Sequence, residues 1–220
     1  MTAEDASVPG DDRRDQMLRA AAEIIAERGF SETRIADVAR RAGASPALVI
    51  YYFGTKDHLL TEALRFSEQS FYAAADQMLS GLANVRRRLE GLVRMTCMPQ
   101  QTDEVPGSWG LWFDLWSQAF RHPAVARDRI ELDQRWRNMI IRVVDDAIAA
   151  AEIDKIDSTE FAVTFAALLD GLSIQVALED PAVDADRAYR IAMRFASQAL
   201  GFAWAPPRRS RGAKSVGRPA

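Results

Sequence analysis

Apolar residues recur along this chain at spacings of three and four, and no stretch of useful length alternates apolar with polar positions. That period is helical, so the pattern predicts an all-α fold. Met17, Leu18, Ala21, Ile24 and Ile25 form one stripe and predict a first helix over 12–28. Two short elements follow over 33–53, with Ile35, Val38 and Ala39 sharing a face on the first and Val49 and Phe53 on the second. Leu59, Leu60, Ala63, Leu64, Phe66 and Phe71 mark a longer helix from near Lys56 to near Gly81, a connector between a small head and the remainder. Further helices are predicted over 84–98, 107–121, 123–151, 158–178 and 184–201, broken by Pro99, Pro106-Gly107, Pro123, a polar turn at 154–158 and Pro181. The two ends, 1–11 and 205–220, lack apolar content and are expected to be disordered.

The segment 33–60, TRIADVARRAGASPALVIYYFGTKDHLL, combines the strongest local signals. Thr33 suits the cap of a first short helix, and Gly43 suits a turn through the left-handed region. Ser45 then caps a second helix with Pro46 at its first position, where a missing amide hydrogen costs nothing. Two short helices joined by a glycine turn form the motif whose second helix enters a major groove. Lys56 follows directly, a point charge suited to a phosphate.

Taken in order, Gly29-Phe30, Thr33, Val38-Ala39, Ala42-Gly43, Ser45, Tyr51-Tyr52-Phe53, Lys56 and Leu59-Leu60 resemble the DNA-binding domain of TetR-family transcriptional regulators. The resemblance is detailed over about 14–60 and rests beyond that on helical pattern and chain length. It implies that Ser45, Pro46, Ala47 and Leu48 approach base edges while Tyr51, Tyr52 and Lys56 hold phosphates. Thr33 is expected to cap its helix and to touch phosphate. Arg34 has three readings: a guanine edge, a phosphate, or solvent. Residues 46–53 contain no Arg, Lys, Asn or Gln, so bidentate reading of a purine from this helix is unavailable. Thymine methyls, the Ser45 hydroxyl and local DNA shape remain. Ile50 departs from the family pattern, where many members carry a tyrosine.

The resemblance further implies a DNA-binding domain over 12–55 and a helical domain over 56–204 that dimerises and binds a small effector. The expected function is a cytoplasmic, homodimeric repressor released from a palindromic double-stranded operator by a small hydrophobic or cationic molecule. No cofactor, metal or membrane partner is implied. In SWGLWFDLWSQAF, Trp109, Trp112, Phe113, Trp116 and Phe120 fall within three turns, and Trp136 and Met139 sit on the next long helix. Such a stripe is read either as core or as an effector pocket. Asp114, an acid among aromatics, favours a pocket for an organic cation, unless it faces solvent from the opposite side. Phe165, Leu168, Leu169 and Leu172 on one helix, with Met193 and Leu200 on the last, exceed a peripheral helix's needs and are expected to form the dimer seam.

Composition changes this picture little. The 220 residues are 48% hydrophobic and 27% charged, and the single cysteine, Cys97, excludes an internal disulfide framework. The polar, acidic N-terminal stretch lacks the apolar core of a signal peptide, and the longest apolar run, near 161–178, is broken by Asp170. A net charge of −3 looks wrong for a DNA binder, yet 28–56 carries five basic residues (Arg28, Arg34, Arg40, Arg41, Lys56) against Glu32 and Asp37. The tail adds Arg208, Arg209, Arg211, Lys214 and Arg218 without an acid. Two rivals remain: an enzyme with an aromatic pocket, and a ligand-binding or scaffold protein whose helix-turn-helix is vestigial. Against the enzyme, only His58 and His122 exist, and no phosphate loop, serine elbow or metal-spaced cluster is present.

Overall fold

The computed structural model describes residues 9–98, 109–120 and 123–206, and these form nine α-helices with no strand among them. In chain order they are α1 (Pro9–Arg28), α2 (Ile35–Arg41), α3 (Pro46–Phe53), α4 (Lys56–Ser80), α5 (Val85–Cys97), α6 (Trp109–Ala119), α7 (Pro123–Ala149), α8 (Ser158–Ala177) and α9 (Ala185–Leu200). Five starts are fixed by a side chain that accepts a backbone N–H of the first turn, from Ser45, Thr55, Asn84, Asp157 and Asp184. Each such cap satisfies a donor the helix cannot, worth about 1 kcal/mol.

The head consists of α1, α2, α3 and the first turns of α4. Met17, Leu18, Ile24 and Ile25 of α1 bury their side chains against Val38, Val49, Phe53, Leu59 and Leu60. Full burial of each such large apolar side chain stabilises by about 1.5–3 kcal/mol. Beyond the head, α4 continues with Tyr72, Ala75 and Leu79 buried against α5 and α7, so one rigid rod belongs to both halves. Helices α5, α7, α8 and α9 pack as a bundle, and α6 touches both α7 and α1.

Three expectations change here. Pro9–Asp11 open α1 rather than standing in a disordered end, whereas 1–8 and 207–220 lie outside the described residues. The cap position of α2 is Arg34, with no side-chain cap bond. Thr33 is instead inaccessible (0% exposed), and its hydroxyl donates to the Gly29 carbonyl at 2.8 Å, which removes it from any phosphate surface.

The residues expected at the dimer seam are turned inward. Phe165, Leu169, Leu172, Met193 and Leu200 are buried within a single subunit, and Leu168 is half-buried. The reason is the position of α8, wedged among α5, α7 and α9, so its richest stripe fills its own bundle. The rings of Phe161, Phe165 and Phe195 stack there, with centroids 5.3, 6.0 and 6.1 Å apart. Among the described helices, α8 alone is long and apolar enough by composition to cross a membrane. That composition reflects a second, outward apolar stripe carrying Val163 and Ala167.

Candidate DNA-reading head and effector site

Helix α3 is held by what it buries. Val49 and Phe53 point into the head, and the Arg14 guanidinium lies 5.5 Å from the centre of the Phe53 ring while bonding Glu62 of α4 at 2.7 Å. One arginine of α1 thus ties α3 to α4. Ser45 Oγ accepts the Leu48 N–H at 3.1 Å and Pro46 occupies the first helical position. Gly43, at φ +60°, makes the turn from α2, a conformation that costs a side-chain-bearing residue about a kilocalorie or more.

What remains outward is an apolar and aromatic surface. Pro46 and Ala47 are exposed, Ile50 is 49% exposed and Tyr51 82%, while Leu48 and Tyr52 are half-buried. Tyr51 and Tyr52 meet edge-on at 5.6 Å. Lys56 Nζ donates to the Ser31 carbonyl at 3.0 Å, which holds the ammonium beside the turn that leads into α2. Arg34 stands exposed at the start of α2.

The basic residues counted in the sequence are not equivalent. Arg40 bonds Asp37, Arg28 lies 4.0 Å from the same carboxylate, and Arg41 forks onto Glu27 at 2.5 and 2.8 Å with Glu23 at 3.6 Å. The Arg41 hydrogen bond holds the Glu27 carboxyl below its ordinary range. Among the described residues, Lys56, Arg34 and Arg13, whose guanidinium donates to the Gly43 carbonyl at 2.8 Å, carry cationic charge near α3 without an ion pair to an acid of the head.

A second constellation forms where α4, α6 and α7 meet. The Phe71 ring is its hub, with centroids of Tyr72 at 5.4 Å, Trp112 at 6.1 Å and Trp136 at 6.4 Å. The Tyr72 hydroxyl donates to the Leu132 carbonyl at 3.0 Å, and the Arg135 guanidinium lies 4.6 Å from the centre of its ring. Leu132 and Arg135 also line an adjoining cleft of about 210 Å³ with Arg65, Glu68, Gln69 and Glu131. Glu68 is only 3% exposed, one turn before Phe71 and Tyr72. Burial, and next the negative charge of Glu68, push the Tyr72 phenol well above its ordinary value. Burial, reinforced by Asp133 and opposed by Arg129 and Arg137, pushes the Asp170 carboxyl up to about 6.

The predicted pocket residues divide. Trp112 and Trp136 come together, and Phe113 pairs with Trp116 along α6 at 6.1 Å. Met139 is fully buried one turn beyond Trp136 and borders a different cleft, with Asp76, Leu79 and Arg88. The side chain of Trp109 lies outside the described residues. Asp114 departs from the pocket: its Oδ2 accepts the Phe30 N–H at 2.7 Å, on the head side of α6. Trp112 and Asp114 are two residues apart on a helix, about 200° around it, so they face opposite ways. The sequence reading placed Phe71 on the apolar stripe of α4 but did not assign it, Glu68 or Tyr72 to the site. Their signal was available, since an acid at i with aromatics at i+3 and i+4 shares one helix face. Cys97, the one thiol open to a catalytic reading, is buried and pushed up to about 11, far from a neutral-pH thiolate.

Comparison with known proteins agrees with both halves. Residues 17–63 match the family described as bacterial regulatory proteins, tetR family, and residues 85–201 match the BetI-type transcriptional repressor C-terminal domain. The HTH-type transcriptional regulator BetI of Paraburkholderia phymatum is 30% identical over 183 residues, 82% of this chain and 89% of its own. The BetI of Rhizobium meliloti is 29% identical over 167 residues, 76% of this chain and 79% of its own. Among solved structures, a putative transcriptional regulator from Saccharomonospora viridis in complex with choline superposes with a TM-score of 0.75 at 26% identity, covering 86% of this chain and 98% of its own. A putative TetR-family regulator from Rhodococcus sp. superposes at 0.74 and 28% identity, covering 86% and 99%.

Proposed function

This chain belongs to the TetR family of bacterial transcriptional regulators, and from that premise we propose that it is a homodimeric repressor whose effector is a small organic cation of the quaternary ammonium type. It is a DNA-binding regulator rather than an enzyme. The observation that carries the effector reading is the aromatic hub at Phe71 beside the buried Glu68 carboxylate, with the half-buried Asp170 acting electrostatically on Tyr72. A quaternary ammonium donates no hydrogen bond, so a site for it supplies aromatic faces and negative charge. Negative charge beside aromatic faces favours a cation over a neutral isostere of the same shape. Choline, bound by the Saccharomonospora viridis neighbour, has this chemistry. Arg135, stacked on Tyr72, occupies one of those aromatic faces and would have to yield.

The operator is read by Ser45, Pro46, Ala47 and Leu48, with Tyr51, Tyr52, Arg34 and Lys56 on phosphates. The head spans 12–55 and the effector and dimerisation domain 56–204. The dimer forms through the outward stripes of α8 and α9, with Val163, Ala167 and Gly171 on the first and Ile191 and Arg194 on the second. Open space around an added Cβ at Gly171 suits close approach of a partner helix. Two copies then present two α3 helices to a palindrome with half-sites about one helical turn apart or more. The test is titration of the dimer, bound to a duplex selected from a random pool, with choline and with its uncharged tert-butyl isostere. Choline is expected to release the duplex and the isostere to be far weaker. Equal potency of the two would overturn the cation site.

A further inference from the structure

Asp114 joins the two halves through a side-chain hydrogen bond to a backbone amide. Helix α6 stands outside the bundle, packed on α7 and on α1. Its Trp112 meets the Phe71 hub, and two residues on, its Asp114 reaches the turn that closes α1. That turn, 29–33, joins α1 to α2. Asp114 Oδ2 takes the Phe30 N–H at 2.7 Å, the Thr33 hydroxyl donates to the Gly29 carbonyl at 2.8 Å, and Lys56 Nζ donates to the Ser31 carbonyl at 3.0 Å. Three consecutive residues are thus gripped from three directions: by α6, by the entry to α2, and by the first residue of α4. Gly29 makes the approach of the carboxylate feasible. It sits at φ +84°, and a Cβ there would lie 3.1 Å from Asp114 Oδ2.

We propose that Asp114 is the positioning residue through which the aromatic hub and the reading head sense one another. A molecule entering beside Trp112 displaces α6. The displaced carboxylate then draws or frees the Phe30 amide, and the turn re-aims α2 and α3 as a unit. A charged acceptor on a backbone N–H is among the stronger hydrogen bonds, so the link transmits force rather than merely touching. Coupling of this kind is reciprocal: whatever the effector does to DNA affinity, DNA does to the hub.

That reciprocity gives a test needing no effector. In the full-length dimer carrying Trp204→Phe, emission then reports only Trp109, Trp112, Trp116 and Trp136. Binding of a pool-selected operator duplex is expected to shift this emission. Asp114→Ala should bind the duplex and lose most of the shift, whereas Asp114→Asn, which keeps a carbonyl acceptor, should retain most of it. Gly29→Ala, which crowds the carboxylate, should behave like Asp114→Ala. A wild-type shift in Asp114→Ala, no shift in the parent dimer, or equal loss in Asp114→Asn would each overturn the proposal. A second measurement uses choline and so rests on the effector reading above. Its affinity for the duplex-free dimer should change less than about threefold in Asp114→Ala, while the ratio of affinities with and without duplex, expected to be about 5–150-fold in the parent, should collapse towards one. Failure of choline to bind the parent refutes the effector reading alone and leaves the duplex experiment to decide on Asp114. Loss of choline binding in Asp114→Ala would return that residue to the pocket and overturn the link.

Discussion

The reading head and the effector half both rest on aromatic clusters, yet they handle charge in opposite ways. Around α3 the charged groups are at the surface, some of them paired, as in Arg41 with Glu27 and Arg40 with Asp37, while the helix itself shows only apolar and hydroxyl groups. Around Phe71 one acid, Glu68, is buried, and burial raises the half-buried Asp170 carboxyl to about 6. A surface meant for a polyanion gains from mobile, solvated cations, whose neutralising effect depends on salt. A site meant for a small cation gains from fixed, desolvated negative charge, which is screened far less. The same chain thus builds one site by leaving charge in water and the other by removing it.

The largest expected difference comes from one substitution made in both halves. Phe53→Ala removes a ring buried against Val49 and clamped by Arg14, and should cost about 3–5 kcal/mol of stability. It should lower the melting midpoint and abolish duplex binding together. Phe71→Ala removes a half-buried ring from the effector hub. A smaller loss of stability, with duplex binding kept and choline response lost, is expected by calorimetry and by duplex release. Equal destabilisation by both would make the Phe71 cluster ordinary core.

The second test concerns charge directly. A carboxyl whose folded-state value is raised to about 6 binds its proton more tightly folded than unfolded. Its ionised form therefore destabilises above about pH 6, and stability should rise as pH falls through 6 towards the ordinary carboxylate range. The gain is on the order of 1–3 kcal/mol at most, for a shift of about two units. Asp170→Asn should raise the melting midpoint at neutral pH and flatten this slope. Choline affinity should climb as pH rises through about 6 and lose that dependence in the variant. Asp133, Arg129 and Arg137 face the same carboxyl, so their variants should move the midpoint of the curve without removing it. Nothing comparable is expected in the head, where Glu27 is shifted the other way and lies in solvent.

This contrast also explains what could be read from the chain. The head is contiguous: glycine turn, Ser45 cap, aromatic run and lysine all fall within 33–60, so local rules were enough to place α2 and α3 even though Thr33 is not the cap of α2. The long helices were equally legible, because each buries one stripe at helical spacing. The effector cluster joins residues from Glu68 to Asp170 across several helices, and no local period reports which stripes meet. Asp114 shows the limit most plainly, since its neighbours in sequence are aromatic while its partner is a backbone amide 84 positions earlier. The seam failed for a related reason: α8 has two apolar stripes, and the richer one belongs to its own subunit.

A smaller effect separates the two kinds of cation in the head. If its ammonium meets a phosphate rather than a base, Lys56→Ala should weaken binding to all duplexes alike and lower the salt slope by about one. Arg34→Ala should do the same if it, too, holds a phosphate. A loss confined to one operator sequence would assign Arg34 to a base edge. Binding isotherms over several salt concentrations on selected and scrambled duplexes distinguish these outcomes.

The smallest effect is expected at Arg41, and it is the one that most sharpens the comparison. By sequence Arg41 counts as fully towards a basic footprint as Lys56. In the structure its guanidinium is spent on Glu27 and Glu23, acids of α1 that lie outside the motif. An exposed pair of this kind contributes little to stability, and its field at the duplex is nearly cancelled. Arg41→Ala should therefore leave the salt slope unchanged and the melting midpoint within error of the parent. Removing the acids tests the same point with opposite sign. The double change Glu23→Gln with Glu27→Gln should free Arg41, steepen the salt slope by about one and tighten binding to every duplex equally. If Arg41→Ala flattens the slope as much as Lys56→Ala, the ion pairs open on DNA and the head's basic footprint is the larger one its sequence suggests.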